Sequence, residues 1–429
     1  TTAPTTAPTQ GSTVTGAYYV STTGSDSNNG SINSPWKTIQ YAVNRLSAGN
    51  TLYVRGGTYR ETVNVSKSGT ASSNIKILAY PGETPIIDGN NYALPTTSWA
   101  AMLKISGSYI QMSGFEVRYT NWMAVVVSGT YSTVSNFNVH HNKENGILVT
   151  GDNNIVENSK VWSNCLSNEN GTPTRSGWAS GLSAARHPNN TILRNNTVYQ
   201  NWGEGLSTYE ANGTIMEGNV VYNNYSTNIY VSDATNVTVQ RNFVYATADS
   251  VVNKGARVGI MMGDEVYSPA SSNIKILNNV VVGAYRNFYW WQGSQGGGMN
   301  NVTIAHNTFV NSRATTNFQI NYATHKSVFV FDNIIVQDGT LPIAIVAGTG
   351  VSYSNNLWSK TPGTTALGSN SLVTDPQFAK TGSQATIDWY KLLSTSPAIN
   401  KAISVPSVTC DFTGYTRPTA RDIGAYEYR

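Results

Sequence analysis

The sequence is poor in charge and in cysteine. Charged residues make up 12% of the 429 residues and the formal net charge is +4, an excess too small to indicate a nucleic-acid partner. No apolar stretch reaches the roughly 18 residues of a membrane span. The two cysteines, Cys165 and Cys410, are too few for a disulfide framework and lack a metal-binding pattern, so they form either one long-range disulfide or two free thiols.

The abundant residues are Gly, Asn, Ser and Thr, which implies a neutral-polar surface that is unusual for a cytosolic protein of this size. The chain opens with a Thr/Pro/Ala tract, TTAPTTAPTQG, that has no apolar pattern. Such tracts are typical of extended linkers. We therefore expect residues 1–16 to be a linker to which a further module is attached.

A short amphipathic helix is predicted early in the chain. Ser34 is suited to its N-cap and Pro35 to its first position, and an apolar face follows at Ile39, Ala42, Val43 and Leu46. Short β-branched runs separated by Gly and Pro turns come next. A helix ahead of many short strands is what the open end of a solenoid needs as a cap.

An internal repeat is the strongest signal in the sequence. Its marker is an Asn two residues before a central apolar residue, found at Asn196, Asn219, Asn242, Asn279, Asn307 and Asn333. The intervals are 23, 23, 37, 28 and 26 residues, and Asn136 and Ser159 extend the series upstream. This spacing predicts a coil with about three short strands per rung, insertions at two rungs, and a ladder of stacked Asn amides at one turn.

The repeat, the opening AYYVSTTGSDSNNGSINSPWKTIQYAVNRLSAGNTLYVRGGTYRETV and the closing RDIGAYEY resemble the pectate-lyase-like superfamily of secreted bacterial proteins. The resemblance implies an all-β fold, a right-handed parallel β-helix solenoid over residues 17–360, with an N-terminal capping helix and an irregular C-terminal tail at 361–429. It does not identify the reaction, since the superfamily includes lyases, hydrolases, epimerases and adhesins. The Asp-Asp-Gly and Gly-Phe-Lys-Leu-Gly-like segments of family 9 pectate lyases are absent, as are the Asn-Thr-Asp and Gly-His-Gly motifs of polygalacturonases.

Alignment of the rungs indicates which residues share a face, because side chains alternate across a strand. The inward positions are predicted to be Ile147, Leu182, Leu206, Ile229, Ile260, Phe288 and Phe318. The outer face then carries Ser183, Ser207, Tyr230, Met261, Tyr289 and Gln319 one residue later. Tyr209, Tyr230, Tyr289 and Trp291 are predicted to form an exposed aromatic platform on which sugar rings stack.

A column of charged residues follows the same strand. Successive rungs contribute Arg186, Glu210, Asp233 and Asp264, with His187 and Glu265 adjacent. Rungs about 4.8 Å apart would bring the carboxylates close together. In one interpretation Glu210, Asp233 and Asp264 bind a divalent cation such as Ca²⁺. In a second, two of them form a hydrolase pair; in a third, all are solvated turn residues.

Two long rungs flank this column, and insertions in a solenoid tend to lie on the binding face. They are expected to form two walls of a cleft and to bring four residues towards the strand face: Arg175, Trp178, Lys254 and Arg257. A Lys or Arg beside a cation suits β-elimination from a uronate. His187 is an alternative base, as in uronan epimerases of related fold, although the order here is Arg186-His187-Pro188 rather than Asp-Pro-His. Glu204 is a turn residue or an extra acid.

These observations predict a secreted, monomeric enzyme that cleaves a polysaccharide, with no nucleic-acid partner and no membrane span. The favoured mechanism is a cation-assisted lyase on a uronate-containing polymer, because three stacked acids suit a cation and the slightly basic chain suits an anionic polymer. One alternative is a glycoside hydrolase that uses Glu210 and Asp264 on the same face. The other is a non-catalytic polysaccharide-binding adhesin, which would need the aromatic platform alone.

Overall fold

The computed structural model describes residues 17–96, 99–169, 171, 178–247, 249, 251, 254–255, 257–266, 270–293, 297–321, 323–380 and 386–429. These residues form a parallel β-solenoid with few helices. The two α-helices are α1 (Ile39–Val43) and α2 (Thr364–Leu367), and 3₁₀ turns lie at Leu166–Asn168 and Ile387–Tyr390. None of the helices found within these ranges is long and apolar enough to cross a membrane.

The strands are short, as the frequent Gly, Asn and Asp turns require. In the first part of the chain they are β1 (Ala17–Val20), β2 (Thr51–Val54), β3 (Gly57–Tyr59), β4 (Val63–Val65), β5 (Ile75–Ala79), β6 (Pro85–Asp88), β7 (Ala101–Ile105), β8 (Ile110–Ser113), β9 (Glu116–Arg118), β10 (Met123–Val127), β11 (Thr133–Ser135), β12 (Asn138–His140), β13 (Ile147–Val149), β14 (Ile155–Glu157) and β15 (Lys160–Trp162). The middle part contains β16 (Ser180–Ala185), β17 (Ile192–Arg194), β18 (Thr197–Tyr199), β19 (Glu204–Tyr209), β20 (Ile215–Glu217), β21 (Val220–Tyr222), β22 (Thr227–Ser232), β23 (Thr238–Gln240), β24 (Phe243–Tyr245), β25 (Val258–Asp264), β26 (Ser272–Leu277) and β27 (Val280–Val282). The last part contains β28 (Phe288–Gln292), β29 (Asn300–Ala305), β30 (Thr308–Val310), β31 (Phe318–Ile320), β32 (Thr324–Phe331), β33 (Ile334–Val336), β34 (Ala344–Val346), β35 (Thr349–Ser354), β36 (Leu357–Trp358) and β37 (Leu372–Val373).

The strands form three parallel sheets that run along the coil. Sheet 1 has 13 strands from β1 to β35, sheet 2 has 11 strands from β4 to β34, and sheet 3 has 13 strands from β3 to β37. The predicted inward residues of sheet 2 are in register between neighbouring rungs and are fully buried: Ile147, Leu182, Leu206, Ile229, Ile260, Phe288 and Phe318. The interpretation of the repeat as a coil with three strands per rung is confirmed.

The predicted asparagine ladder is present at the turn before sheet 3. Each side-chain amide donates to the side-chain oxygen of the next member at 2.9–3.1 Å, along Asn196, Asn219, Asn242, Asn279, Asn307, Asn333 and Asn356. Upstream, Ser159 accepts from the backbone N–H of Phe137. Asn136 therefore lies one residue out of the ladder, because that rung has 22 residues rather than 23.

The helix begins later than predicted. Thr38, not Ser34, is the N-cap of α1, and its side-chain oxygen accepts from the backbone N–H of Tyr41 at 3.2 Å. Asp26 holds this cap by accepting from the backbone N–H and the hydroxyl of Thr38. The apolar residues Ile39, Ala42 and Val43 are buried, and the helix contacts β1, β2 and β4.

The chain beyond β37 is irregular and packs against sheet 3. Its apolar residues Tyr390, Leu392, Ala398, Ile423, Ala425 and Tyr426 share one buried cluster with Val280, Val310, Ile334 and Leu357 of the coil. Two polar contacts add to the packing: the Asp332 carboxylate accepts from the backbone N–H of Ile403 at 3.1 Å, and Arg417 donates to Asn278 at 2.8 Å.

The two cysteines are free thiols, which decides between the two possibilities left by the sequence. Cys165 is fully buried, and burial raises the pKa of its thiol well above the ordinary value. Cys410 lies in the C-terminal chain and is only partly buried. A thiol with a raised pKa is a poor nucleophile, so Cys165 contributes to packing rather than to chemistry.

Candidate active site

A groove with a volume of about 600 Å³ lies on the outer face of sheet 2. Its lining comes from seven rungs or their loops and includes Trp99, Met123, Glu144, Leu148, Trp178, Ser180, Ser183, Arg186, Glu204, Ser207, Tyr209, Tyr230 and Glu265. The predicted outer face of the strand is therefore the floor of a concave site. Ligand sites are typically concave surfaces on which a small number of polar groups converge.

The outward residues of the floor are in register across successive strands, as predicted. Leu148 pairs with Ser183, Ser183 with Ser207, and Ser207 with Tyr230. Tyr230 does not form part of an exposed platform, because only 2% of its surface is accessible. That part of the prediction is wrong, since the ring is buried and its hydroxyl is bonded to the Glu265 carboxylate.

Glu204, the first residue of β19, is the most perturbed acid of the groove. Its carboxylate accepts from the hydroxyl of Ser180 at 2.9 Å, and Ser180 is bonded in turn to Ser207 at 2.8 Å. Loss of solvation, together with the nearby charge of Glu265, raises the pKa of Glu204 to about 8. Part of the residue remains exposed to the groove. Glu204 is thus a protonated acid at neutral pH that substrate can reach.

Glu265 is the second acid of the groove and has a different environment. The hydroxyl of Tyr230 donates to its carboxylate at 2.5 Å. Burial and the charges of Glu265 and Glu204 hold the pKa of Tyr230 well above its ordinary range, so this hydroxyl keeps its proton and remains a donor. A donor of this kind stabilises an ionised carboxylate. The groove therefore combines an acid whose protonated form is favoured by burial with an acid that is held by a tyrosine hydroxyl.

Asp233 supports the turn that carries Glu265. It is fully buried, and its two oxygens accept from the backbone N–H groups of Glu265 at 3.0 Å and Val266 at 2.9 Å, and from the hydroxyl of Ser232 at 2.6 Å. A carboxylate with these partners has no free lone pairs facing the groove. The prediction that Asp233 is a catalytic residue or a cation ligand is therefore replaced by a structural role.

The other acids of the predicted column also lie outside the groove lining. Asp264 has the inward parity of Ile260, is fully buried, and accepts from the backbone N–H of Ser271 at 2.9 Å. Burial is the main cause that raises its pKa. Glu210 lies at the turn after β19 with a positive φ of 50° and is partly exposed. The column exists along the backbone, but its side chains point in different directions.

These residues do not fit the predicted Ca²⁺ site. Within the part of the chain that the structure describes, no group of three His, Cys, Asp or Glu side chains could hold a metal ion. The physical reason is that backbone N–H groups occupy the oxygens of Asp233, while Asp264 is enclosed by its own strand and the Ser271 turn. A hard cation needs several oxygen ligands with free lone pairs that converge on one point.

The predicted bases Lys254 and Arg257 pack on aromatic residues outside the groove lining. Lys254 lies 5.2 Å from the ring centre of Trp202, and Arg257, which is buried, lies 5.5 Å from that of Tyr225. Burial lowers the pKa of Arg257 to about 10. Neither side chain lines the groove. Arg175 lies outside the described residues.

Both insertions reach the same wall. The hydroxyl of Tyr225 donates to the carbonyl oxygens of Gly171 at 3.4 Å and Lys254 at 3.1 Å, which come from different insertions. Trp178 packs on Tyr225 with ring centres 5.2 Å apart and lines the groove. The described parts of the two insertions thus meet at one aromatic wall, and the rest of both insertions lies outside the described residues.

The remaining predicted residues divide between the groove and its surroundings. Arg186 lines the groove, and its guanidinium lies 5.8 Å from the ring centre of Trp99. His187 is exposed at the following turn and is not part of the lining. Tyr289 and Trp291 are partly exposed on β28, beyond the groove, where Asn321 donates to the Tyr289 hydroxyl at 2.9 Å. Tyr209 does line the groove, as predicted.

Sequence reasoning gave too little weight to Glu204 and missed Glu144 and Ser180. Glu144 is buried in the groove lining, ahead of β13. Ser180 and Glu204 occupy paired positions in neighbouring rungs. The available signal was the short repeat SGLS and EGLS, which places a polar residue two positions before each inward leucine. By strand alternation a residue two positions before an inward leucine should face the core, and an acid is unusual at such a position.

Comparisons with known proteins agree with this architecture. Residues 18–333 match a family model described as the Pel9A-like, right-handed β-helix region. The chain is 51% identical over 81 residues to pectate lyase PEL9 of Emericella nidulans, and 40% identical over 75 residues to protein YwoF of Bacillus subtilis. These segments are 18% of this chain, and 19% and 16% of those relatives. The matches therefore span less than a fifth of the curated relatives.

Two solved structures resemble the chain over nearly its full length. Pectate lyase Pel9A has a TM-score of 0.57 and 19% identity, with 96% of each chain covered. XylC in complex with xylose also has a TM-score of 0.57, with 12% identity over 96% of this chain and 98% of that one. Identities this low show a shared fold and leave the reaction to the residues of the groove.

Proposed function

Because the chain belongs to the family of Pel9A-like right-handed β-helix proteins, we propose that it is a polysaccharide-degrading enzyme and that the groove on sheet 2 is its active site. Two glutamates with different surroundings support this proposal, since glycosidic bond cleavage needs a proton donor for the leaving oxygen. The specific reaction that the groove suits best is hydrolysis by Glu204 and Glu265.

The position of Glu204 carries the proposal: it lines the groove, accepts from the hydroxyl of Ser180 and has lost most of its solvent. A carboxyl group with a pKa of about 8 holds its proton at neutral pH and releases it to the glycosidic oxygen as the bond to the anomeric carbon breaks. Ser180 orients the carboxyl through its 2.9 Å hydrogen bond. Pairs of acids whose surroundings push their protonation apart are typical of glycoside hydrolases.

Glu265 supplies the second function of the pair. Its carboxylate, held by Tyr230, either deprotonates a water molecule or attacks the anomeric carbon itself, the two routes known for such pairs. Asp233 fixes the backbone of Glu265 and so limits the positions of the carboxylate. The configuration of the first product, read by nuclear magnetic resonance, distinguishes the two routes.

A polysaccharide lyase is the second candidate, favoured by the family and by the pectate lyases among its relatives. Glu204 would protonate the leaving oxygen in that reaction as well. The groove supports it less, because elimination from a uronate needs a base for the C5 proton and positive charge for the substrate carboxylate. Of the predicted cations that the structure describes, Arg186 lines the groove, whereas Lys254 and Arg257 do not.

The test compares Glu204→Gln with Glu265→Gln on polysaccharides and on aryl glycosides. We expect each substitution to lower activity on polysaccharides by about 10²–10⁴-fold. Glu204→Gln should retain activity on aryl glycosides, whose leaving groups need no proton, whereas Glu265→Gln should not. Glu210→Gln is the matched control, since Glu210 lies outside the groove, and its activity should be unchanged.

Three outcomes would contradict parts of the proposal. Full activity in both groove variants would place the active site elsewhere. Unsaturated uronate products, detected by ultraviolet absorbance, would identify a lyase in place of a hydrolase. Binding of a polysaccharide with no cleavage of any polymer would favour the adhesin.

We also propose that both ends of the chain protect the coil and that the protein is secreted. Helix α1 packs on the first rungs through Ile39, Ala42 and Val43, and described residues of the C-terminal chain, among them Tyr390 and Ile423, pack on sheet 3. These contacts support the capping and covering roles that the sequence suggests. The low charge content supports secretion, where a polymeric substrate would be met.

A further inference from the structure

A row of aromatic side chains runs along the outer face of sheet 3, on a different sheet from the groove. Neighbouring rungs bring into register, at the last position of each strand, His140, Trp162, Tyr199, Tyr222 and Tyr245. These five residues are the aromatic row. Consecutive ring centres lie 4.7, 5.7, 4.7 and 4.5 Å apart, and the last three pairs of rings are parallel to within 7°. From His140 to Tyr222 the row spans three rung intervals, roughly 14 Å along the coil axis.

The stacking determines which part of each ring a ligand can reach. Trp162, Tyr199 and Tyr222 are partly exposed. Because the rings follow one another in nearly parallel orientation, neighbouring rings cover most of each face, and the exposed part consists of edges and hydroxyl groups. The edge of an aromatic ring is electropositive, whereas its face is electronegative. Ring edges and phenol hydroxyls therefore favour a ligand that carries acceptor oxygens.

A pocket of about 470 Å³ continues the row at its N-terminal end, at the corner where the chain passes from β9 of sheet 3 to β10 of sheet 2. Tyr119 lines this pocket and is 45% exposed, and its ring centre lies 6.1 Å from that of His140. His141 and Lys143 also line it. No Asp or Glu is found among the described residues of the lining. The pocket thus adds a concave end to the row, with one ammonium group at hand.

Two lysines beside these aromatic residues carry unpaired positive charge. Lys160 is exposed, and its ammonium lies 5.7 Å from the ring centre of Trp162 and 5.5 Å from that of Tyr199. Lys143 is exposed at the pocket. Neither lysine forms an ion pair with an acid of the described ranges. Both ammonium groups are therefore available to an anionic ligand.

The acids near the row already have partners. Arg118 donates to Glu116 at 2.8 Å and to Asp88 at 2.9 Å, and the side chains of these two acids are only 15% and 4% exposed. Gln200 donates to Asp249 at 2.6 Å. Engaged and largely covered carboxylates repel an approaching anion less than free ones do. The charges that meet a ligand on this face are consequently those of the two lysines.

We propose that the aromatic row and the pocket at its N-terminal end form a second, non-catalytic binding surface for a uronate-containing glycan chain. Sugar carboxylates and hydroxyls accept from the ring edges, the phenol hydroxyls and the two ammonium groups. The C-terminal chain limits the surface at its other end, because Tyr245 packs against the apolar cluster that this chain forms with sheet 3. A surface separate from the groove holds the protein on a polymer while the groove engages another segment of it, which raises the effective concentration of that segment.

The first measurement maps the surface by lysine acetylation. The protein is treated with a limiting amount of acetylating reagent, and modification of each lysine is quantified by mass spectrometry. We expect polygalacturonate to lower acetylation of Lys143 and Lys160 at least about threefold, as majority occupancy requires. Its fully methyl-esterified form, a matched neutral chain, should not lower it. Lys275, exposed on β26 of sheet 1, is the internal control and should react equally throughout.

The second measurement is electrophoresis through gels that contain polygalacturonate. We expect the double variant Lys143→Glu/Lys160→Glu to bind the polymer about fivefold or more weakly than the parent. The matched control is Lys275→Glu, which reverses an exposed lysine on another face and should bind like the parent. Both substituted lysines are exposed and absent from the groove lining, so the circular dichroism spectrum and kcat on a short soluble substrate should be unchanged.

Four results would overturn the proposal: no protection of Lys143 and Lys160, equal protection of Lys275, equal protection by the methyl ester, or equal affinities of the double variant and Lys275→Glu. None of these measurements requires cleavage. The activities of Glu204→Gln and Glu265→Gln test the groove alone, so failure of the proposed reaction and failure of this second surface are separate outcomes.

Discussion

At the scale of single residues, Glu204 and Glu265 show how two identical side chains acquire different roles. The Glu204 carboxyl has lost solvent and accepts a hydrogen bond from the Ser180 hydroxyl, whereas the Glu265 carboxylate accepts a short hydrogen bond from the Tyr230 hydroxyl. Asp233 acts indirectly on the site, because it accepts hydrogen bonds from the backbone N–H groups of Glu265 and Val266. Asp233, a member of the column predicted from sequence, is thus a support, whereas the candidates for chemistry, Glu204 and Glu265, lie outside that column.

The pKa of Glu204 predicts the alkaline limit of activity. A general acid works only while protonated, so polysaccharide cleavage should fall as pH rises through about 8. Because the folded pKa lies above the unfolded value, the stability that this group contributes is complete below that unfolded value and is lost as pH rises through about 8. The measurement is the pH dependence of kcat on two substrates, a polysaccharide and an aryl glycoside whose leaving group needs no acid. The fall in kcat above pH about 8 should occur with the polysaccharide and be absent with the aryl glycoside. If kcat falls at the same alkaline pH with both substrates, a group other than Glu204 causes the fall.

At the scale of the elements, the asparagine ladder joins one rung to the next. The amide of Asn242 donates to Met216 and to Asn279, and its oxygen accepts from the backbone N–H and side chain of Asn219, all at 2.9 Å. The ladder is fully buried. Its loss would therefore leave several polar groups without partners and without access to water.

We predict that Asn242→Ala lowers the free energy of unfolding by about 2–4 kcal/mol. Asn236→Ala is the control, because Asn236 belongs to an exposed amide row where water replaces the lost partner. Its φ is +57°, so alanine there should still cost about 1 kcal/mol through backbone strain. Denaturant titration followed by circular dichroism gives both values. Equal losses in the two variants would mean that the buried ladder adds nothing beyond an ordinary turn contact.

At the scale of the whole molecule, the C-terminal chain covers the outer face of sheet 3. Val280, Val310, Ile334 and Leu357 lie beneath it, so its removal would expose a contiguous apolar patch. We predict that deletion of residues 370–429 yields insoluble protein, whereas deletion of residues 1–16, the predicted linker, leaves solubility and the circular dichroism spectrum unchanged. A soluble coil after the C-terminal deletion would show that the cover is dispensable.

The coil and its inward residues could be derived from sequence because they depend on local periodicity. A repeat near 23 residues with Asn at one turn leaves few alternatives to a three-stranded rung, and Leu206 and Ile229 then face inward by parity alone. The second amide ladder, which includes Asn142, Asn164 and Asn201, escaped notice because its members do not precede an equally regular apolar triplet.

The sequence by itself determined the solenoid, the register of sheet 2 and the face on which the groove lies. Only the tertiary structure decided which acids point into that groove, because side-chain direction at a turn depends on backbone conformation and on partners from other rungs. Asp233 is turned to the backbone of residues 265 and 266, while Glu204 meets Ser180 of the preceding rung. Periodicity fixes where a residue lies along the coil, whereas burial and hydrogen-bond partners fix what its carboxyl group can do.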